Sequence, residues 1–161
     1  MRIAGITKDS VVNGIGIRDV IFVQGCGHHC RGCHNPQTWD FNSGMQIEVD
    51  ELVDFFKESA NQITISGGEP LNQFNEVYEF MKKTNELSGK RFWLYTGFSY
   101  EDIPMYIKER LAKYVDVLVD GRFEEDKRDL RLPYKGSANQ RLIDLPKTFN
   151  GSEVVLWEVK R

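Results

Sequence analysis

The segment VIFVQGCGHHCRGCHNPQTW, residues 20–39, joins a short apolar run to a loop that holds every cysteine and every histidine of the chain. All three cysteines and all three histidines fall within the nine positions from Cys26 to His34. An odd number of clustered cysteines suits neither a disulfide framework nor a buried core, whereas thiolates and imidazoles are common metal ligands. The segment therefore predicts a metal centre directly after a buried strand.

Short apolar runs follow one another along the chain and predict the strands of one sheet. They are rich in β-branched or aromatic residues, which is typical of buried strands. The four runs are Val20–Val23, Ile63–Ile65, Phe92–Tyr95 and Val115–Val119. A last apolar run, at residues 154–157, predicts one further strand near the C-terminus.

Apolar residues with helical spacing separate these runs. The first two stripes are Val49, Leu52, Val53 and Phe56, and then Phe74, Val77, Tyr78 and Met81. A third helix is predicted to begin at Ser99, because Ser99 and Asp102 have the spacing of a capping box and Pro104 can occupy the first turn. Its apolar stripe is Ile103, Ile107 and Leu111. The order β-α-β-α-β-α-β requires crossover connections and predicts a largely parallel sheet.

Small and polar residues follow each of the four predicted strands. After the cysteine loop come Ser66-Gly67-Gly68-Glu69-Pro70, Thr96-Gly97 and Asp120-Gly121, one group behind each later strand. Parallel sheets and barrels bind their ligands at the carboxyl ends of the strands, so these segments are predicted to meet on one face.

Length and composition narrow the possible classes of protein. A chain of 161 residues with 40% hydrophobic and 28% charged residues fits a single folded domain over residues 1–161. The net charge of -3 disfavours nucleic-acid binding, which usually needs a basic excess. No apolar run approaches the roughly 20 residues of a membrane span, and the N-terminus lacks a signal-peptide pattern. The chain is therefore expected in the cytosol, where thiols stay reduced.

Two kinds of metal centre can use the C-x3-C-x2-C spacing of Cys26, Cys30 and Cys33. A structural zinc site needs four ligands, and His28, His29 or His34 could supply the fourth. A four-iron cluster usually takes four cysteines, so three would leave one iron without a protein ligand. Structural zinc sites more often join two separated pairs of ligands than a single eight-residue loop, so the spacing favours the cluster.

The cysteine motif, followed by Gly-Gly-Glu-Pro after the next strand, resembles the radical S-adenosylmethionine enzymes. More closely, the chain resembles the activating proteins of anaerobic, class III ribonucleoside-triphosphate reductases over residues 12–141. The matching positions are Val12-Asn13-Gly14, Gly16, Arg18, Gly25-Cys26, His28, Cys30, Gly32-Cys33, Asn35, Thr38-Trp39, Tyr95-Thr96-Gly97, Asp116, Asp120-Gly121-Arg122-Phe123, Gly136-Ser137 and Asn139-Gln140-Arg141. The resemblance implies an incomplete parallel βα barrel of about four βα units plus a C-terminal strand.

The resemblance also implies the site residues. Cys26, Cys30 and Cys33 would bind a [4Fe-4S] cluster, and its open iron would chelate the methionine moiety of S-adenosylmethionine. Gly67, Gly68 and Glu69 would hold the methionine amino group, and a side chain at position 68 would intrude on the cofactor. Many superfamily members carry an aromatic residue before the third cysteine. Here that residue is glycine, as in the reductase activases, so the adenine contacts are expected from Gly32, Cys33 and His34.

The implied reaction is reductive cleavage of S-adenosylmethionine to a 5'-deoxyadenosyl radical, which takes a hydrogen atom from a glycine of the partner reductase. Four βα units make about half of an eight-unit barrel, so the open side could admit a polypeptide loop. The charged residues 122–141 either line that opening or form a solvated loop. The expected electron donor is flavodoxin-like. Two alternatives are an activase of another glycyl-radical enzyme, such as pyruvate formate-lyase, and a zinc-stabilised adaptor.

Overall fold

The computed structural model describes residues 1–159 and contains one mixed sheet with helices beside it. The seven strands are β1 (Arg2–Ser10), β2 (Arg18–Val23), β3 (Met45–Gln46), β4 (Gln62–Gly67), β5 (Phe92–Tyr95), β6 (Val115–Asp120) and β7 (Arg141–Asp144). The four α-helices are α1 (Val49–Lys57), α2 (Phe74–Ser88), α3 (Met105–Ala112) and α4 (Leu145–Asn150). In residues 1–159, no helix combines the length and the apolar character that a membrane crossing requires.

The sheet is parallel in its centre and antiparallel at both sides. Its strand order is β3-β1-β2-β4-β5-β6-β7, and β2, β4, β5 and β6 run parallel to one another. β1, β3 and β7 pair antiparallel with their neighbours. Successive parallel strands are neighbours in the sheet, with α1, α2 and α3 as the crossovers. The predicted alternation of four parallel strands with three helices is confirmed.

The three crossover helices pack on the same face of the sheet. The predicted stripes of α1 and α2 are confirmed, since Leu52, Val53, Phe56, Val77 and Met81 are all buried in the main core. Neighbouring residues of a strand point to opposite faces. The alternation along β5 therefore sends Phe92 and Leu94 to the helices, whereas Trp93 belongs to a small cluster on the other face, with Val117, Val119 and Leu142. Among residues 1–159, loops, and not helices, cover this second face of the sheet.

The third helix begins later than the sequence predicts. α3 starts at Met105, and a separate 3-10 turn covers Tyr100–Asp102. Ser99 makes no side-chain capping bond, so the predicted start there is wrong. The cause is Pro104, because a residue before proline avoids the helical region. Ile103 is accordingly extended, with φ -73° and ψ 129°, and interrupts the helix.

The edges of the sheet differ from the prediction. β1, β3 and β7 are strands that the apolar runs do not show, and β6 is followed by antiparallel β7 rather than by a fourth crossover helix. The strand predicted at residues 154–157 is wrong, since this run makes only one isolated bridge, between Leu156 and Ile143 of β7. β7 has only four residues and begins at the end of the charged segment 122–141. Its pattern of apolar and polar residues was therefore too short to indicate a strand.

Candidate functional site

The carboxyl ends of β2, β4, β5 and β6 border one cavity of about 610 Å³. Six of the eight predicted site residues line it: Cys26, Cys30, Cys33, His34, Gly67 and Gly68. The other two, Gly32 and Glu69, are not among the lining residues. The predicted meeting of the cysteine loop with the segments after the other three strands is confirmed, since Thr96, Gly97 and Gly121 also border this cavity.

The cysteine loop is closed at its base by backbone hydrogen bonds. The N–H of Gly25 donates to the carbonyl of Thr38 at 2.7 Å, and the N–H of Cys26 donates to that of Trp39 at 3.2 Å. A tight turn follows, in which the N–H of Cys33 donates to the carbonyl of Cys30 at 3.1 Å. The three cysteines are free and half-buried, so all three thiols are held on one short loop at the cavity.

Burial and backbone donors act in opposite directions on the thiols. Burial raises the pKa of Cys26 and Cys30, while backbone N–H groups, those of His28 and His29 for Cys26 and that of Phe123 for Cys30, oppose the rise. N–H groups directed at sulfur stabilise a thiolate and tune the potential of a bound cluster. Metal binding must therefore displace protons from these thiols.

The three thiols suit an iron–sulfur cluster better than a single ion. Among residues 1–159, no three histidine, cysteine, aspartate or glutamate side chains converge closely enough to hold one metal ion. A cluster takes one thiolate per iron, so its ligands are spread over several corners. An additional donor faces Cys33, whose Sγ accepts a 3.3 Å hydrogen bond from the N–H of Asn35. The donor set and its surroundings fit a [4Fe-4S] cluster with one iron lacking a protein ligand.

Glu69 lies behind the cavity wall and is completely buried. Its Oε1 accepts hydrogen bonds from Thr96 Oγ1 at 2.9 Å and from the N–H of Leu71 at 3.0 Å. Its Oε2 contacts His28 Nε2 at 2.8 Å and accepts from the N–H of Gly97 at 2.8 Å. The carboxylate thus joins the cysteine loop to the segments that follow β4 and β5.

Each histidine of the loop has a different neighbour. His28 is held by Glu69, and its ring packs edge-on against Phe98 at 4.6 Å between centroids. His29 stacks on Trp39 at 4.7 Å between centroids. His34 borders the cavity and lies 4.8 Å from the ring of Phe123. His28 and His34 both border the cavity, and His34 lies beside the third cysteine.

The two glycines after β4 are required by the backbone around them. Gly67 has a positive φ of 99°, which favours glycine. A Cβ on Gly68 would overlap the backbone carbonyl of Gly25, the residue before the first cysteine. The predicted reason for a glycine at position 68, a collision between a side chain and the cofactor, is therefore incomplete, because the collision comes first with the cysteine loop.

Two further loops complete the cavity. One carries Val11 and Val12, and the other is residues 130–136, part of the charged segment 122–141. Tyr95 donates from its hydroxyl to the carbonyl of Tyr134 at 2.6 Å, which fixes the second loop over the sheet. Of the alternatives given for residues 122–141, a lining role agrees with the position of residues 130–136 at the cavity. The apolar and aromatic residues within 130–134, LRLPY, were the signal available in the sequence.

The chain matches known proteins over most of its length. A family model described as a 4Fe-4S single cluster domain matches residues 12–143. An anaerobic ribonucleoside-triphosphate reductase-activating protein of Pasteurella multocida (strain Pm70) is 36% identical over 140 residues, covering 81% of this chain and 89% of the relative. The proteins of the same name from Enterobacteria phage T4 and Escherichia coli (strain K12) are 37% and 33% identical, each over 81% of this chain and over 86% and 90% of the relative.

The family-model match includes the whole cysteine loop and the segments after β4, β5 and β6 that border the cavity. The family description agrees with a donor set of three thiols that do not converge on a single ion. The chain therefore belongs to the family of anaerobic ribonucleoside-triphosphate reductase-activating proteins.

Proposed function

We propose that this protein activates an anaerobic ribonucleoside-triphosphate reductase by reductive cleavage of S-adenosylmethionine at a [4Fe-4S] cluster. The observation that carries the proposal is one cavity that brings three free thiols of a single loop together with the Gly67-Gly68 turn. The relatives that cover most of the chain are named as activating proteins of this reductase. Family membership and site chemistry thus support the same activity.

In this proposal Cys26, Cys30 and Cys33 would hold the cluster, which would leave one iron without a protein ligand to bind the cofactor. When bound, the cluster supplies one electron to the sulfonium of S-adenosylmethionine, which yields methionine and a 5'-deoxyadenosyl radical. The protein's own part is to orient the cofactor and exclude water, since the radical takes a hydrogen atom and no general base is required. The half-buried position of the thiols supports that role.

Cofactor contacts are proposed for the residues that border the cavity. The backbone of Gly67 and Gly68 faces the space beside the thiols, where carbonyl oxygens can accept hydrogen bonds from an ammonium group. Cys33 and His34 border the same space and are proposed to contact the adenine, through the backbone or the His34 ring. Gly32 has a positive φ of 72°, which favours glycine in the turn between Cys30 and Cys33.

The domain is proposed to be a single radical S-adenosylmethionine domain over residues 1–161 with the fold of an incomplete βα barrel. Two features support this: neighbouring parallel strands follow in chain order, and all three crossover helices pack on one face. A barrel has the same sequential order and an inner face free of helices. Here the inner face carries Trp93 and is covered by loops instead of by further strands.

The proposed substrate is a glycine Cα of the reductase, delivered on a polypeptide loop. The cavity is bordered on its outer side by exposed aliphatic residues, Val11, Val12 and Leu130, which are 65%, 70% and 80% exposed. Such residues can contact an entering chain. The electron is proposed to come from a flavodoxin-like donor, and the three free thiols suit a reducing compartment such as the cytosol.

Anaerobic mixing with the cognate reductase tests the proposal. The reconstituted protein, S-adenosylmethionine and a strong one-electron reductant should together produce an organic-radical paramagnetic resonance signal on the reductase. Deuterating the glycines of the reductase should collapse the main hyperfine doublet, and omitting S-adenosylmethionine should abolish the signal. A signal only with pyruvate formate-lyase would favour the other activase. Stoichiometric zinc, in place of about four irons per chain, would support the adaptor.

A further inference from the structure

The Glu69 carboxylate has no acceptor site left for a cofactor. An ionised carboxylate has two oxygens with about four lone-pair sites and only accepts hydrogen bonds. Four donors surround Glu69: the Thr96 hydroxyl, the His28 ring and the backbone N–H groups of Leu71 and Gly97. Because the His28 contact is 2.8 Å and the carboxylate only accepts, the Nε2–H of His28 must donate. A cofactor ammonium could contact this group only by displacing one of these partners.

His28 occupies the middle of the loop that carries the first two cysteines. Its side chain is only 8% exposed, whereas the neighbouring His29 is exposed. The segment after β5 leaves space for the ring, since a Cβ at Gly97 would overlap His28. Phe98 covers the edge of the ring. The Thr96-Gly97 pair, which follows a predicted strand in the sequence, thus forms part of the packing site of the His28 ring.

From these contacts we infer that His28 and Glu69 are positioning residues, which hold the C-x3-C part of the cysteine loop against the ends of β4 and β5. The inference rests on the proposed cluster site, and it removes Glu69 from the set of direct cofactor contacts. The ammonium of the cofactor is then left to the backbone of Gly67 and Gly68. A buried carboxylate that loses its hydrogen-bond donors is energetically costly. The loop conformation in which His28 donates to Glu69 is therefore favoured over conformations in which His28 is displaced.

Matched substitutions at the two adjacent histidines separate this role from general damage to the loop. His28→Asn shortens the side chain so that its amide no longer reaches Glu69, and His28→Gln places an amide N–H near the position of Nε2. His29→Asn is the control, because asparagine tolerates the positive φ of 47° at His29. Glu69→Gln is the reciprocal change. In either amide orientation it turns an N–H2 group toward the backbone N–H of Leu71 or of Gly97.

The first measurement is amide hydrogen exchange of residues 25–33 in the full-length protein without the cluster. We expect exchange at least about tenfold faster in His28→Asn and Glu69→Gln than in the wild type, because loop opening becomes easier. His28→Gln should recover most of the protection, and His29→Asn should match the wild type. Equal exchange in His28→Asn and His29→Asn overturns the inference. This readout needs no cluster, so it stands even if the proposed reaction fails.

The second measurement uses the reconstituted protein. The rate of iron loss to a chelator should follow the same order as the exchange rates, while the molecules that retain the cluster should bind S-adenosylmethionine within about threefold of the wild type. The change that S-adenosylmethionine causes in the paramagnetic resonance spectrum of the reduced cluster should also persist in Glu69→Gln. Wild-type exchange and iron retention in Glu69→Gln, with cofactor affinity reduced tenfold or more, would make Glu69 a direct contact and overturn the inference. A wild-type protein that binds no cluster would instead refute the proposed function.

Discussion

Two completely buried carboxylates lie near opposite ends of the parallel strands, Asp19 at the amino-end edge and Glu69 at the carboxyl-end edge, and different parts of the chain hold them. Near the amino end of β2, Asp19 binds Lys8 Nζ at 2.9 Å, Ser59 Oγ at 2.7 Å and Asn61 Nδ2 at 2.8 Å. At the carboxyl ends of the strands, Glu69 is held by the cysteine loop and the end of β5. Both groups are fully hydrogen-bonded, yet only Glu69 contacts the loop that carries the proposed metal ligands.

Both carboxylates are stabilised by several hydrogen bonds in the protein interior, but they join different segments of the chain. The partners of Asp19 come from β1 and from the turn between α1 and β4, which do not border the cavity, and they join these two segments to β2. The partners of Glu69 come from segments that border the cavity. We therefore expect changes at the Asp19 edge to lower stability alone, and changes at the Glu69 edge to affect the cluster as well. This separation agrees with the location of ligand sites at the carboxyl ends of parallel strands.

The largest effect is expected for Cys30→Ala, which should abolish cluster assembly and S-adenosylmethionine cleavage together, because three thiolates are the minimum for this site. The apo-protein should lose less than about 1 kcal/mol of unfolding free energy, since the residue is only half-buried. Iron and sulfide analysis after anaerobic reconstitution, with urea unfolding of the apo-protein, measures both. Wild-type iron content in this variant would contradict the ligand assignment.

Gly68→Ala is expected to act on both properties. Its Cβ would overlap the carbonyl of Gly25, so unfolding free energy should fall by about 3 kcal/mol, and iron retention should fall with it. The matched control is Gly5→Ala in β1, where no atom lies within 4 Å of the added Cβ. That control should change stability by less than about 1 kcal/mol. A stable Gly68→Ala protein with normal iron retention would contradict the close approach of the two segments.

The Asp19 carboxylate should make a pH-dependent contribution to the free energy of unfolding. It should not affect the cluster. Burial by itself would raise its pKa, but hydrogen bonds from Asn61, Ser59, Lys8 and the N–H of Asp9 prevail and lower the pKa to about 2. The unfolded chain then binds more protons between about pH 4 and pH 2, so the contribution is fully present above about pH 4 and is lost as the pH falls toward 2. Its size is roughly 2 kcal/mol.

Urea unfolding of the apo-protein measures this contribution, with Asp19→Asn as the comparison. The stability difference between wild type and Asp19→Asn should shrink between pH 5 and pH 2.5. At pH 7, the reconstituted variant should retain iron as the wild type does. Loss of iron from Asp19→Asn at a pH where it remains folded would show that the two edges are coupled, contrary to the comparison.

The smallest effects are expected from single hydroxyl deletions, one at each edge. Thr96→Val removes a 2.9 Å hydrogen bond to Glu69, and Ser59→Ala removes the 2.7 Å bond to Asp19. Each should lower the free energy of unfolding by about 1–2 kcal/mol, the usual range for a hydrogen bond to a charged group. Only Thr96→Val should also speed the loss of iron to a chelator. Similar iron loss in the two variants would remove the functional distinction between the edges.

Local pattern was sufficient for the repeating part of the fold and for the loop that carries the proposed metal ligands. The strands β2, β4, β5 and β6 are recognisable as short continuous apolar runs, and the helices α1 and α2 by apolar residues at a period of 3.6. The cysteines are close in sequence, so their spacing alone places them on one loop. The predicted cavity at the carboxyl ends followed from the parallel order, because that order brings the ends of neighbouring strands together.

Tertiary structure alone decided the edges of the sheet and the role of Glu69. The two-residue β3 and the four-residue β7 are too short for a periodic signal, and they form because the neighbouring strands offer free backbone groups. The partners of Glu69 lie 41 residues away at His28 and 27 residues away at Thr96. A sequence shows which groups can donate, but only folding determines which donors reach a given carboxylate. The motif therefore predicts a cofactor contact, and only the folded chain shows that the Glu69 carboxylate is hydrogen-bonded to His28 of the cysteine loop.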